Sequence, residues 1–384
     1  MSIEGELIVR LDCSGPHIRQ VTVQSTRPMA AARVLKGKTA HDAAAMVPRL
    51  FSICSGAQGA AARSALAAAG AAGFTTAAPG GDRNVVLETL QDAFWHLLID
   101  WPNAMDSAPA TAPVAAARLQ IASSTHATDG TPRVTDATTM RDLGVRLSAL
   151  AEQAIFGMPP AAWLGLADVE ALRGWCARRE TVPALLLGSA LAEAPALGRS
   201  TITLMPPPRS DALRRVIMPS LRGDPAFARA PTWSGTPVET GALARMRDEP
   251  LILALQRQFG NAVVTRIAAR LVELALLLLE LMGAASRRDT PPRIQSMPLG
   301  EGEGLAAVET ARGLLLHHAR VHDERVVDYL IVAPTEWNFH PDGALVRGLE
   351  GFEAEDENQV IHAARLAVHA LDPCVAFRVE VGHA

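Results

Sequence analysis

The soft donors of this chain are four cysteines, Cys13, Cys54, Cys176 and Cys374, and none is paired as Cys-x-x-Cys. Cys374 closes "HALDPC", and the position three residues on, where a second thiol would complete such a pair, holds Phe377. Towards the other end, Cys54 in "RLFSICSGAQG" has Phe51 three residues before it. Each stretch thus offers one sulfur and one phenyl ring. A lone Cys ordinarily behaves as a small buried hydrophobe, and Cys13 and Cys176 keep that reading. Cys54 differs because it lies between a Pro-preceded Arg and a Gly turn. Cys374 follows Asp-Pro at the end of a helix, where backbone groups are free to meet a ligand. Two thiolates from distant parts of a chain can hold one soft metal ion if the fold unites them, but they are too few for a closed structural zinc site. Whether they form a disulfide when empty, which requires Cα atoms within about 7 Å, is left open.

The other titratable residues are less directive. His317 and His318 are adjacent and point to opposite faces of a strand. His362 and His369 share a face of a helix, and His322 and His340 fall near loops; solvated or core roles suit them all. No His-Glu-x-x-His, Gly-x-Ser-x-Gly, P-loop or Gly-x-Gly-x-x-Gly occurs, and "GEGEG" at 300–304 reads as a flexible acidic loop. A net charge of −4 gives no reason to expect nucleic acid. Few and scattered cysteines exclude a disulfide-rich secreted domain, and "MSIEGELIVRLD" has no signal-peptide core, so the cytoplasm is expected. The most apolar stretch, "VVTRIAARLVELALLLLELMG", carries Arg266, Arg270, Glu273 and Glu280. Four charges are costly in lipid, so it reads as a buried helix and no membrane partner is expected.

The elements that must position the sulfurs follow from patterning. "ELIVRLD" and "IRQVTVQST" alternate as a β-hairpin over 6–25. Helical pattern runs from Met29 to Ala72 and resumes in "NVVLETLQDAFWHLLIDW". Residues 102–135, rich in Pro, Ala, Ser and Thr, read as a loop-rich insert. Helices are expected over "TTMRDLGVRLSALAEQAIFG", with a Thr N-cap, and over 168–180, 240–284 and Asn358–Leu371. "STITLMPPPRS" reads as a strand, "SDALRRVIMPSL" as mixed loop, and "GLLLHHARVHDERVVDYLIV" as a hairpin around "HDER". The class is mainly α with small β-sheets (α+β), in a chain with 49% apolar residues, ample for a core.

Six segments, in order, resemble one family, the large subunit of nickel–iron hydrogenases. "IEGELIVRLD" resembles its Ile-Glu-Gly-His start, and "RVLKGKTAHDAAAMVPRLFSIC" the approach to its Arg-x-Cys-Gly-x-Cys motif. "WSGTPVETGALAR", "VETARGLLLHH" and "VDYLIVAPTEWNFHPDG" resemble three further segments, and "DPCVAF" the terminal Asp-Pro-Cys-x-x-Cys-x-x-His. Residues 100–230 match poorly. The resemblance implies a single hydrogenase large-subunit-like domain over 1–384 with a central helix bundle and an N-terminal hairpin within 1–28.

In that family four thiolates hold nickel and an iron bearing two cyanides and one carbon monoxide. Cys54 matches a bridging thiolate and Cys374 a terminal one; Phe51 and Phe377 replace the other two. A phenyl ring has no lone pair to give a metal, and two rings are expected to fill the nickel-sized hole, so nickel and catalysis are not expected. Gln58 and Glu380 stand where the family has His, and Ala32 where it has Glu, which puts its magnesium site in doubt. Arg312 matches the Arg over the active site, Thr335 the residue that bonds a cyanide, Asp372 the Asp before the terminal Cys, and Glu4 a proton-relay Glu. The resemblance is to the non-catalytic accessory branch, the hydrogenase expression/formation proteins of the HupK/HoxV type. It implies a scaffold that transiently carries the Fe(CN)2CO unit on Cys54 and Cys374, with Arg312, Thr335 and Asp372 as the residues that bind it and Arg312 and Thr335 steadying the cyanides. The partners implied are a small maturation chaperone, the iron-loading machinery and the hydrogenase large-subunit precursor. The competing expectation is a metal-free interaction protein that binds the hydrogenase small subunit or the precursor.

Overall fold

The alternating apolar residues of the first segment do form a hairpin, strands β1 (Glu6–Ser14) and β2 (His17–Ser25), antiparallel from Leu7↔Ser25 to Ser14↔His17. Leu7, Val9, Leu11 and Cys13, at a period of two, turn one face to the core. The computed structural model describes residues 5–27, 30–51, 53–75, 81–125, 136–224, 226–284 and 292–383. Glu4, expected as a proton-relay residue, lies outside them.

Helices follow: α1 (Ala40–Leu50), α2 (Ser55–Ala68), α3 (Gly81–Trp95), α4 (Thr111–Thr125) and α5 (Ala137–Ala151). Helix α4 corrects the loop expected over 102–135. Val114, Ala117, Ile121 and Ser124 are buried on one stripe, but Ala on the other faces blurs the hydrophobic period; 126–135 lie outside the described residues. Helix α5 is capped by Asp136, which accepts from Thr139 N, and not by a threonine. A further correction is α6 (Ser210–Gly223), expected as mixed loop. Leu213, Ile217 and Leu221 recur every four residues and are buried, and Pro219 is tolerated near its end.

The long apolar run is α7 (Val263–Leu281), buried continuously from Val263 to Ala275. Its charges have partners inside the protein. Arg266 donates to both oxygens of Glu239 at 2.8 and 2.9 Å, and Glu273 accepts from Arg245 at 2.6 and 2.9 Å. No helix among the described residues is long and apolar enough to cross a membrane.

Four antiparallel strands come next, β3 (Ile294–Gly300), β4 (Glu303–Thr310), β5 (Gly313–His322) and β6 (Arg325–Val332), in the order β3-β4-β5-β6. The stretch expected as a flexible acidic loop is the β3–β4 turn, and Gly304 belongs to β4. The Ala-rich α2 lies so near this sheet that a Cβ on Gly304 would overlap its backbone at Ala65, Ala68 and Ala69. Small residues on α2 and Gly304 on β4 are what allow this approach.

The chain ends in α8 (Glu357–Leu371) and strand β7 (Ala376–His383). Strand β7 pairs parallel with β1, from Glu6↔Ala376 to Cys13↔His383, in a sheet of order β2-β1-β7. This pairing sets Cys374, two residues before β7, against the root of the N-terminal hairpin.

The fit of α2 on β4 has a measurable consequence. Gly304→Ala forces helix and sheet apart and is expected to cost at least about 2 kcal/mol, read as a lower urea midpoint with an unchanged m-value.

Candidate metal-thiolate site

Helix α2 begins at Cys54, its N-cap residue, whose side chain makes no capping hydrogen bond. The capping is done by Glu88 of α3, which accepts from Gly56 N at 2.7 Å and Ala57 N at 3.1 Å. Cys54 is thereby left facing inward. Cys374 arrives from the other end of the chain, between α8 and β7. Both line one small enclosed cavity of about 10 Å³, room for a single water, with Glu88, Asp92, Arg312 and Pro334. The fold thus unites the two cysteines singled out in the sequence. Both are free thiols.

Thr335 Oγ1 accepts from Cys374 N at 3.2 Å and lies 3.1 Å from Cys374 Sγ. The backbone N–H takes one of the oxygen's two lone pairs, and the hydroxyl proton can be given to the sulfur across the second contact, as the thiol's can be given to the oxygen. Arg312 sits in the tight turn between β4 and β5, where its N–H donates to Thr310 Oγ1 and its carbonyl accepts from Asn338 Nδ2. Its guanidinium meets Asp92 Oδ2 at 2.8 Å and Asp372 Oδ1 at 3.3 Å. Asp372 also takes Arg270 Nη2 of α7 at 3.1 Å. Asp372 terminates α8 in the left-handed conformation, φ 53°, which a short polar side chain tolerates best.

The charges sort themselves physically. Burial would push the Asp372 carboxyl up, but Arg312 and Arg270 outweigh it and hold it well below the usual carboxylate range. The neighbouring Asp92 is pushed up, first by burial and against the pull of Arg312. Burial raises Glu88 to about 7, against the two backbone N–H groups it accepts. Cys54 is pushed far up, chiefly by burial and then by the negative charge available at Cys374 and Glu88. At neutral pH the site therefore presents an ionised Asp372 and a Cys54 that holds its proton.

Arg27, just past β2, is the residue the sequence did not mark. Its Nη2 donates to Cys374 Sγ at 2.7 Å, and its Nη1 stands 3.5 Å from Glu336 Oε2. Burial opposes its charge, but Cys374 and Glu336 together hold the guanidinium's pKa above its ordinary value. Loop position gave no periodic signal for it. Glu88, Asp92, His96 and Asp100 did carry one, a titratable residue every fourth position through an otherwise apolar segment. His96 Nδ1 lies 3.7 Å from Asp100 Oδ2 and from Asp372 Oδ1. Two guanidiniums already on Asp372 make this trio a poor cation site.

The phenyl rings behave differently from expectation. Neither Phe51 nor Phe377 lines the cavity between the sulfurs. Phe51 packs with Leu35, Val47 and Tyr329, and Phe377 lies edge-on to His369 at 5.1 Å. Strand β7 alternates its side chains, and Phe377 is turned to α8. Gln58 accepts from buried His317 Nε2 at 2.9 Å, while His317 Nδ1 meets Tyr329 Oη at 2.7 Å. Glu380 is engaged by Arg10 and Arg378.

Known proteins resemble this chain in sequence and in fold. A family model described as nickel-dependent hydrogenase matches residues 220–380. The hydrogenase expression/formation protein HoxV of Cupriavidus necator is 32% identical, over 93% of this chain and 92% of its own. The protein HupK of Rhizobium leguminosarum bv. viciae, of the same description, is also 32% identical, over 95% and 93%. Among solved structures, the [NiFeSe]-hydrogenase of Dm. baculatum superposes with a TM-score of 0.61 over 97% of this chain and 96% of that one, at 16% identity. A hydrogenase variant from Desulfovibrio vulgaris Hildenborough gives 0.58 at 19% identity. These two likenesses concern the fold.

Burial holds His317 neutral, with its pKa lowered from 6.5 to about 3. The unfolded chain binds this proton below about 6.5 and the folded one does not. Its contribution is complete above that pH and is lost as pH falls, by about 5 kcal/mol across the window. Urea unfolding at pH 7 and pH 4.5 should therefore show a steep acid loss in the wild type and a shallower one in His317→Gln.

Proposed function

Because this chain belongs to the family of hydrogenase expression/formation proteins built on the nickel-dependent hydrogenase large-subunit fold, we propose that it is a non-catalytic carrier in hydrogenase maturation. Its cargo is the Fe(CN)2CO unit, bound transiently by Cys54 and Cys374. The observation that carries this reading is the shared cavity of those two sulfurs, contributed by opposite ends of the chain and walled by Arg312. Cyanide nitrogens are strong acceptors, and the Arg312 guanidinium and Thr335 hydroxyl are donors suited to them. Asp372 acts one step back, fixing Arg312 from beneath. Two thiolates hold iron less firmly than four, which suits release to an acceptor. Nickel has no place in the proposal, since Phe51 and Phe377 supply no sulfur. The unit would come from the iron-loading machinery and a small maturation chaperone, and pass to the hydrogenase large-subunit precursor.

One observation favours the alternative of a metal-free partner for the hydrogenase small subunit or precursor. The cavity has room for one water, and Arg27 already engages Cys374. Infrared spectroscopy of protein purified after co-expression with the maturation machinery separates the two. The carrier shows cyanide and carbonyl stretches, and Cys54→Ala or Cys374→Ala abolishes them. A wild type without these bands that still captures the small subunit makes the alternative correct.

A further inference from the structure

Two cavities lie on either side of one contact, that of Arg27 with Cys374. On one side is the confined space between Cys54 and Cys374. On the other is a cavity of about 690 Å³ whose walls include Arg27, Arg33, Arg320, Phe51 and Glu336. The confined space, about 10 Å³, is too small for an iron with three diatomic ligands. The wide one is large enough, and among its walls is Arg27, whose guanidinium donates to Cys374 Sγ.

The attachment of Arg27 is unequal. Its backbone is pinned, because Thr26 N donates to Glu6 O at 2.8 Å and Gly5 passes so close that a Cβ would strike Arg27. Its guanidinium is held by Cys374 and, at the longer 3.5 Å, by Glu336. Arg27 Nε and Glu336 Oε2 are buried without a hydrogen-bond partner among the described residues. A buried donor with spare capacity, beside a cavity, is free to take up an acceptor that enters.

We propose that the wide cavity is the route by which the cargo reaches Cys374, and that Arg27 is both its gate and its first binding cation. The proposal rests on the carrier reading and adds to it the path and the residue. At rest the guanidinium caps the sulfur, and it is the thiolate form that takes up the unit. On loading it swings on its pinned backbone to a cyanide nitrogen of the incoming unit. The sulfur lone pair it leaves is donated to iron, filling the coordination position that the donor's ligand vacates. Iron keeps its oxidation state and no electron is transferred. One positive charge at sulfur is exchanged for another, so the buried thiolate is never left uncompensated.

The test uses the full-length chain without cargo. Cys374 is alkylated with a small reagent, iodoacetamide, and a bulky one, fluorescein maleimide, and modification is assigned by mass spectrometry. Both react with the thiolate, so the ratio of their rates cancels any change in thiolate fraction and reports access alone. Arg27→Ala is expected to raise the bulky-to-small ratio at Cys374 about tenfold, the shift that losing one charge-assisted hydrogen bond brings. Arg27→Lys, which keeps the charge on a slimmer head, falls between. An unchanged ratio in Arg27→Ala overturns the gate. Should that variant not fold, Leu330→Trp, which narrows the wide cavity with Arg27 intact, is expected to slow the bulky reagent; an unaltered rate overturns the route. Infrared bands then address the cargo separately. If the ratio moves and the loaded wild type has no cyanide bands, the path stands and the iron cargo is wrong. If bands are present, Arg27→Met is expected to shift the cyanide stretches, and unshifted bands remove Arg27 from the cargo's ligands.

Discussion

Asp372 is the charge on which the site's arrangement depends. It sits where α8 stops, in a left-handed turn, and two arginines close on it from α7 and from the β4–β5 turn. A carboxylate removed from water is tolerable only with such compensation, and taking away one partner of a buried pair leaves the other uncompensated at a cost of about 3–5 kcal/mol. The contacts therefore do two things at once. They lock the end of α8 against the long central helix, and they aim Arg312 at the space before Cys374. Asp92, on the other side of the same guanidinium, joins α3 to the arrangement. Four separate segments are thus held in register by one buried negative charge and its partners.

Within that frame the two sulfurs are in unlike surroundings. Cys54, half-buried, has Glu88 close by, and burial with that carboxyl's charge favours its proton. Cys374 receives a guanidinium, a hydroxyl and the start of a strand. A soft metal complex would meet one sulfur already held by a guanidinium and one without such a partner. The wall behind them is equally specific. Gln58, His317 and Tyr329 form a hydrogen-bonded chain from the small cavity to the large one, and each member satisfies the next. Such a buried polar chain is stable only when complete.

Much of this was readable beforehand, for identifiable reasons. Cys54, Thr335, Arg312 and Cys374 lie in short local motifs, and the structure brings them to one place because α2, the β4–β5 turn and the last strand converge. The hairpin around "HDER" follows from two apolar, β-branched-rich runs on either side of a polar turn, and the buried helix at 263–281 from one long apolar run. What escaped was of two kinds. Helices α4 and α6 carry weak or proline-interrupted patterns, and only tertiary burial of one stripe decides for them. Arg27 stands in a connecting segment whose position is set by a strand pair formed across the whole chain. Neither Phe51 nor Phe377 lines the space between the sulfurs, and for Phe377 the strand explains it. In a strand, the direction of a side chain follows the pleat and not its distance from Cys374.

The parallel pairing of β1 with β7 has a further bearing on timing. The sulfur at Cys374 is among the last parts of this sequence to leave a ribosome, and its neighbours Arg27 and Cys54 are among the first. Contacts so remote along the chain close late in folding, after the loop entropy between them has been overcome. No nascent fragment that lacks Cys374 holds the pocket, so a newly made chain becomes competent to receive anything there only once these remote segments have met.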